Sequence, residues 1–567
     1  MAEYKFIMLL GVEWLARAAD ILVSTLIRHG VDRIFCVPGE SYLAVIDAMY
    51  DAPSIDVVTA RHEGGAGFMA VADAKMTGKP GIVMVSRGPG ATNGSIGIHV
   101  SQQDAVPVIM FVGQVAREDI GRNAFQEVNY TQTFSDMAKW VVEITDADKV
   151  AEDVRRAFTI AQSGVPGPVI VSLPEDMLLD QTEAPSLSPT IISQPKPDSN
   201  DILEVCDLLS KAERPLIIAG GQIGGKHGRE ALRVVSETWS VPVATSWRHQ
   251  DLFNVDHPNF SCHLAFNMPP IFSDTLNKSD LIIAIGTRLG DVVTQGYKLP
   301  SAPQPSQKLI HIYNDAGPIG NVFDTDLVMV ADATATLRAI KKINAPEPPK
   351  GRTDWIATTH ALGADKFIWD TQEAHDGVPF GNVIAHLRDI ADDDAVTTVD
   401  AGNFATFVHR LYNYKTSNTQ LAAVAGAMGM GVPAAIAGAL RAPDRQVICF
   451  VGDGGFQMTG NEISIAVERN LPIRFIVSNN GSLGTIRLYQ EKAYPDRTLA
   501  TNMTNPDFTK IAEAYGAKGF KINKNEDIER VFKEAFAVDG PVLIEVNSSL
   551  EYLAAYINMS QIRATNQ

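Results

Sequence analysis

Cysteine is scarce in this chain of 567 residues: Cys36, Cys206, Cys262 and Cys449 stand far apart, with no Cys-x-x-Cys spacing. That excludes a disulfide scaffold and predicts four unpaired thiols, buried as small hydrophobes in a protein of a reducing compartment. Cationic charge is also short. With 48 Lys+Arg against 66 Asp+Glu the formal net charge is −18, a field that repels phosphate backbones and anionic lipid and so argues against nucleic acid and membrane surfaces as partners. No long apolar run is unbroken. Residues 422–440 come nearest, but Gly426, Gly429, Gly431, Pro433 and Gly438 interrupt them, a composition that suits a buried turn and close helix packing better than a bilayer. A short apolar stretch at 6–12, behind Lys5, meets Glu13 and Arg17 before any small-residue cleavage site, which argues against an export signal; the expected location is the cytoplasm.

What is present is material for several cores. Hydrophobic residues make up 45% and charged residues 20%, so the chain is neither disordered nor low in complexity. At ~100–200 residues per domain, its length suggests three or four domains. Pro, Ser and Thr cluster at 182–200 and 344–353, marking two linkers between three blocks. In the first block Trp14, Leu15, Ala18, Ala19, Leu22 and Leu26 recur at helical spacing before the run Ile34-Phe35-Cys36-Val37. Strand-like runs follow at 56–60, 81–85, 106–112 and 168–173. The middle block has them at 216–219, 281–285 and 309–312, and the third at 395–399, 447–451, 473–477 and 542–546. Strands alternating with helix-length segments predict an α/β protein of three consecutive doubly wound parallel-sheet domains, with ligands at the carboxyl ends of strands. The expected boundaries are 1–185, 198–344 and 365–550, with a tail at 551–567. Residues 81–93 and 447–459 echo one another, each running from a strand into a Gly-rich turn.

The strongest local signal lies at 447–480. A strand delivers Gly452-Asp453-Gly454-Gly455, a helix follows through Ile463, Ile465, Ala466 and Val467, and the next strand ends at Asn479-Asn480. Glycines at a helix start let backbone N–H groups approach a phosphate, yet a carboxylate repels one. A divalent cation between them resolves the conflict, and Mg²⁺ takes one or two protein oxygens together with phosphate oxygens. The pair of motifs resembles the diphosphate-binding signature of thiamine diphosphate enzymes. By that resemblance Asp453, the Asn480 side chain and the Ser482 carbonyl ligate Mg²⁺, while Gly452, Gly454, Gly455, Leu483 and Gly484 surround the diphosphate. Gly402-Asn403-Phe404, after the 395–399 strand, is the second diphosphate loop by its position in the block.

Such chemistry needs an acid to hold the cofactor's pyrimidine N1′, and a partly buried Glu suits the task. Glu63, in Arg61-His62-Glu63-Gly64-Gly65-Ala66-Gly67 after the 56–60 strand, is the candidate. Small residues from Gly88 to Asn93, including Pro89, could cover the pyrimidine. Met428, set between glycines Gly426 and Gly429, is the candidate wedge beneath the bent cofactor.

Together with Ala124-Phe125-Gln126-Glu127 and Lys139-Trp140, these motifs resemble the acetolactate synthase branch of the thiamine diphosphate decarboxylase superfamily over nearly the whole chain. The resemblance implies a pyrimidine-binding first domain, a central domain and a diphosphate-binding third domain, with active sites between subunits of a homodimer or homotetramer. It implies decarboxylation of a small 2-oxo acid with carboligation to a second carbonyl, Phe125 and Gln126 facing the reacting carbon, Lys139 near the entrance and Arg288 meeting the second substrate. Departures from the branch fall at the substrate. Pro38-Gly39-Glu40-Ser41-Tyr42 places polar Glu40 and Ser41 where synthases carry small residues, and Tyr489 replaces a Trp that shapes acceptor preference. Asn267-Met268-Pro269-Pro270 replaces a segment that helps hold flavin, so FAD is uncertain, and the loop 220–225 reads as a plain turn between strand and helix. An acyl-CoA-directed decarboxylase or lyase shares these motifs and stays open, as does a regulatory protein that binds the cofactor without turnover.

Overall fold

The computed structural model describes residues 15–266 and 268–565; Trp14, the stretch at 6–12 with Lys5 and Glu13, and Asn267 lie outside the described residues. The chain forms two compact units, one of residues up to 192 and the other of residues from 193 onward, to which Lys75–Gly78 also belongs.

The first unit is built on a six-stranded parallel sheet. Across it run Asp56–Thr59, Arg33–Cys36, Gly81–Val85, Val108–Gln114, Pro168–Pro174 and Trp140–Glu143. In chain order this is 2-1-3-4-6-5. Every residue of the inner strands Val108–Gln114 and Pro168–Pro174 is buried, as parallel strands covered on both faces require. Covering helices show the matching stripe: Val150, Val154, Ala157, Phe158 and Ala161 are the buried side of Val150–Gln162. Helix Glu63–Thr77 is different, buried without a break from Gly64 to Ala74, because it crosses helix Gly88–Asp104 backbone to backbone. A Cβ on Gly97 would lie 2.6 Å from the Gly67 Cα. Glu63 and Pro89 stand at the N-terminal ends of these two crossed helices, so the crossing sets their spacing.

The second unit holds two more parallel sheets. The middle one runs Phe260–His263, Val243–Thr245, Pro215–Ala219, Leu281–Ile285, Lys308–Tyr313 and Leu327–Val330, in chain order 3-2-1-4-5-6. The other runs Gln420–Leu421, Val396–Val399, Val447–Gly452, Ile473–Asn479, Val542–Asn547 and Lys518–Ile522. Its order, 2-1-3-4-6-5, is that of the first unit's sheet. The sequence echo between 81–93 and 447–459 thus falls on the third strand of each sheet and the helix after it. The protein is α/β throughout, with three parallel-sheet layers flanked by helices.

All four cysteines are unpaired and buried, and burial pushes the Cys36 thiol up to about 11. No described helix is long and apolar enough to cross a membrane. The glycine-broken stretch at 422–440 forms a turn followed by the buried helix Gly431–Arg441. The helix expected to run on from Asp453 is split, with Asp453–Thr459 and Ile463–Glu468 joined by one 3₁₀ turn at Gly460–Glu462.

Gly97→Ala forces the two crossed backbones apart. The expected cost is about 1–3 kcal/mol, typical of overpacking, read as a melting-temperature drop of roughly 2–10 °C in the transition of the first unit.

Candidate active site

In open parallel sheets, the crevice opens where neighbouring strands send their connections to opposite faces. In the third sheet that point lies between Val396–Val399 and Val447–Gly452, and the loops leaving them are Asp400-Ala401-Gly402-Asn403-Phe404 and Asp453-Gly454-Gly455. A cavity of about 410 Å³ opens there. Gly402, Asn403, Phe404, Gly426, Met428, Gly452, Asp453, Gly454, Gly455, Asn480, Ser482, Leu483, Gly484 and Tyr489 all line it, bringing together residues spread over 88 positions of sequence.

Asp453 is 4% exposed, and burial raises its carboxyl above the ordinary carboxylate range. Donors partly offset that cost: Gly454 N–H reaches Oδ1 at 2.9 Å, while Gly481 N–H and Asn505 Nδ2 each reach Oδ2 at 2.8 Å. The Asn480 Oδ1 accepts from the Ser482 N–H at 3.0 Å, folding the turn so that Asn480 and Ser482 both meet the cavity. Two buried polar atoms on this wall, Asn403 Nδ2 and Ser482 Oγ, have no protein partner. A side chain on Gly454 would strike Leu483 Cδ2 at 3.0 Å and Met428 Cε at 3.3 Å, so these two apolar groups close over a bare backbone. An acid, an amide, orphan polar atoms and a narrow apolar cradle fit a diphosphate-bearing ring cofactor held through a divalent ion. No cluster of three or more His, Cys, Asp or Glu side chains suited to a metal occurs among the described residues, so such an ion would draw much of its ligation from the diphosphate.

Sequence reading missed three residues that shape this site. Asn505 gives one N–H group to Asp453 and shares the same nitrogen with Asn479 Oδ1 at 2.8 Å, tying the two strand ends together. Asp400 is fully buried, accepts from Gly429 N–H at 2.9 Å and from Ala401 N–H at 2.7 Å, and so holds the turn that carries Met428. Gly429 has φ +88°, and a Cβ on Gly455 would sit 2.2 Å from Asp400 Oδ2, so both positions demand glycine. Arg248, from the middle sheet, donates to the carbonyls of Ala423 at 2.6 Å and Asp400 at 3.1 Å. Asp400 alone left a trace in the sequence, as a carboxylate closing a strand just ahead of a glycine.

In the first unit Glu63 is half-buried, and its Oε2 accepts from Asn93 Nδ2 at 3.0 Å. Gly90 keeps the helix carrying Pro89 and Asn93 close, since a Cβ there would be 3.5 Å from Glu63 Oε1. The Gln126 carbonyl accepts from Gly88 N–H at 3.0 Å with Gln126 at φ +65°, which brings the 124–127 loop to the same helix start. Phe125 projects from that loop, 75% exposed. Glu40 pairs with Arg87 at 3.0 Å, and its own backbone N–H together with that guanidinium holds its carboxyl below the ordinary range.

Three expected substrate or catalytic residues stand elsewhere. Ser41 is fully buried, 3.1 Å from Ser86 Oγ and packed against Gly113, so it anchors the turn and leaves Glu40 alone exposed. Lys139 donates to the Ser163 and Val165 carbonyls at 2.5 and 2.9 Å, at the amino-terminal edge of the sheet, opposite the edge that carries Glu63. Arg288 is exposed on the loop after Leu281–Ile285 and does not line the cavity. At the switch point of the middle sheet, the 220–225 loop is tied to its neighbour by Gly220 N–H to Ile285 O at 2.9 Å and Gln222 N–H to Gly286 O at 3.1 Å. A Cβ on Gly221 would meet the His249 ring at 2.5 Å, so its glycines serve packing within the protein.

Two sheets of one topology and a buried Asp–Asn crevice at the switch point of one of them define the class of thiamine diphosphate-binding enzymes. Three family models match: the thiamine pyrophosphate enzyme N-terminal TPP-binding domain over residues 16–133, the central domain over 202–340, and the C-terminal TPP-binding domain over 400–546. The acetolactate synthase large subunit of Lactococcus lactis subsp. lactis is 32% identical over 93% of this chain and 92% of its own. The mitochondrial acetolactate synthase catalytic subunit of Saccharomyces cerevisiae is 30% identical over 92% of this chain and 79% of its own, and an acetolactate synthase of Mycobacterium bovis is 31% identical over 93% and 87%. The chain belongs to the thiamine pyrophosphate-dependent enzymes, on their acetolactate synthase-like branch.

Burial pushes the Asp400 carboxyl up to about 6 from an ordinary 3.8. Its neutral form is therefore the one the fold prefers, and its contribution to stability, full below about pH 4, is lost as pH rises to about 6. The difference between unfolding free energies of wild type and Asp400→Asn, measured from pH 4 to 7, is expected to trace that descent and then level off.

Proposed function

We propose that the protein uses thiamine diphosphate and Mg²⁺ to decarboxylate a small 2-oxo acid and join the remaining acyl fragment to a second carbonyl. The carrying observation is the buried Asp453 carboxylate at the mouth of the cavity, beside Asn480 and the unpartnered atoms of Ser482 and Asn403. A buried carboxylate facing a cavity is costly unless a cation comes to it. In this reading Asp453, the Asn480 side chain and the Ser482 carbonyl hold Mg²⁺, while Gly402, Asn403, Phe404, Gly452, Gly454, Gly455, Leu483 and Gly484 cradle the diphosphate.

Thiamine diphosphate, when bound, supplies an electron sink for the pair released as CO₂ leaves. The chain's own task is to bind, orient and dry the reactants. Glu63, oriented by Asn93, holds a proton at the pyrimidine N1′, with Pro89 beside the ring. Met428 and Gly426 would form the floor beneath the cofactor. Phe125 and Gln126 shape the space around the reacting carbon, and Glu40 and Tyr489 meet the acceptor. Lys139 and Arg288 act outside this set. At least two copies make the working unit, the pyrimidine-binding first domain of one copy serving the diphosphate-binding third domain of another. The middle domain buttresses the Met428 turn through Arg248. Unpaired buried thiols suit the cytoplasm.

Glu63→Gln is expected to slow hydrogen–deuterium exchange at the C2 of bound thiamine diphosphate by about 10²–10⁴-fold; unchanged exchange, followed by NMR after acid quench, removes Glu63 from the mechanism. Calorimetry should show thiamine diphosphate uptake by wild type that depends on Mg²⁺ and is lost both in EDTA and in Asp453→Ala. Holoprotein given a mixture of 2-oxo acids should release CO₂ and yield 2-hydroxy-ketone products identifiable by mass. Release of CO₂ from oxalyl-CoA alone overturns this substrate assignment.

A further inference from the structure

One wall of the cavity carries polar groups with no task in the reading above. His409, on helix Ala405–Leu411, is 4% exposed; His263, closing strand Phe260–His263, is 2% exposed; Lys366, closing helix Arg352–Lys366, is 4% exposed. All three line the cavity beside Trp247, Phe266 and Tyr556. The two imidazole centroids are 5.6 Å apart.

Their hydrogen bonds determine what each presents. Gln250 gives its Nε2 protons to the His409 carbonyl at 3.0 Å, and its Oε1 accepts from Gln420 Nε2 at 3.1 Å. That oxygen faces His409 Nδ1 at 2.9 Å, so Nδ1 carries the proton and Nε2 is left as a bare acceptor. His263 Nδ1 lies 3.3 Å from Thr245 Oγ1, and the ring donates to the Thr245 backbone, so here too Nδ1 carries the proton and Nε2 is the acceptor. Neither Nε2 has a protein partner. Burial foremost, with help from the Lys366 charge, holds both rings neutral. Lys366 rests over the Phe367 and Phe260 rings, its Nζ 4.9 and 5.6 Å from their centroids. Burial lowers it to about 8.

Leaving such a group unsatisfied is costly, and two orphan ring nitrogens beside a buried ammonium are a cost that a ligand relieves. The three together are selective. A simple carboxylate satisfies the ammonium but faces two imidazole lone pairs; a simple polyol satisfies the lone pairs but leaves the ammonium uncompensated. We propose that Lys366, His263 and His409 form a recognition subsite for a hydroxylated carboxylate, which binds with its carboxylate on Lys366 and its hydroxyl protons on the two Nε2 atoms. Resting on the 2-oxo acid reading, this makes the second substrate a carbonyl compound whose far end bears a carboxylate flanked by hydroxyl groups.

The test uses full-length protein loaded with thiamine diphosphate and Mg²⁺, titrated by calorimetry with D- and L-glycerate, propionate and glycerol, none of which has a carbonyl to react. One glycerate enantiomer should bind at least tenfold tighter than propionate or glycerol, and Lys366→Met and His409→Phe should each weaken it at least tenfold. Cofactor uptake, measured on the same samples, reports whether a variant is folded and whether the reading of the main site holds. Glycerate no tighter than propionate on cofactor-loaded wild type overturns the subsite and leaves the cofactor assignment standing. If the variants lose the cofactor, the wild-type comparison of the four ligands decides alone.

Discussion

A carboxylate buried at the rim of a cavity is the constraint around which the third sheet is organised. Asp453 is almost inaccessible, and the turn after Ile473–Asn479 and the Asn505 side chain spend their N–H groups on it. Those donors stabilise the charge only in part, since burial still raises its pKa. The strand ends, the glycines that let helix and loop come close, and the Asn505 clamp all serve to hold one acid against the cavity.

A second buried acid, Asp400, does related work behind the first. It presses against Gly455, holds the Met428 turn through Gly429, and has its own carbonyl gripped by Arg248. The middle sheet thereby contributes to the site without lining most of it: Trp247 Nε1 donates to Val424 O at 3.2 Å beside the Arg248 contacts. The first unit repeats the 2-1-3-4-6-5 strand order but puts a different group at its strand ends, a glutamate with an asparagine partner. One topology offers the same crevice twice, and the residues at the strand ends decide what it holds.

Much of the fold was legible because many of its inner strands are short apolar runs, such as Leu281–Ile285 and Gly81–Val85, whose burial on both faces leaves no alternation to misread. Strands left unread were short or at sheet edges. Gln420–Leu421 has two residues, Val243–Thr245 three, and Lys518–Ile522 shows an edge pattern of Lys, Gly, Phe, Lys and Ile. Too few apolar positions remain in such segments to set a period. Ser41 and Lys139 show a related limit of sequence: a residue type near a motif does not say which side of the sheet or turn its side chain takes.

From sequence alone came the class of fold, the acid–glycine and paired-asparagine motifs that line the cavity, and the candidate Glu63, because each is written in consecutive residues whose backbone demands are local. Tertiary structure alone decided that Asn505 clamps Asp453, that Asp400 props the Met428 turn, and that His263, His409 and Lys366 share one wall. The last three come from strands and helices up to 146 positions apart, and only the packing of the middle domain against the third makes them neighbours.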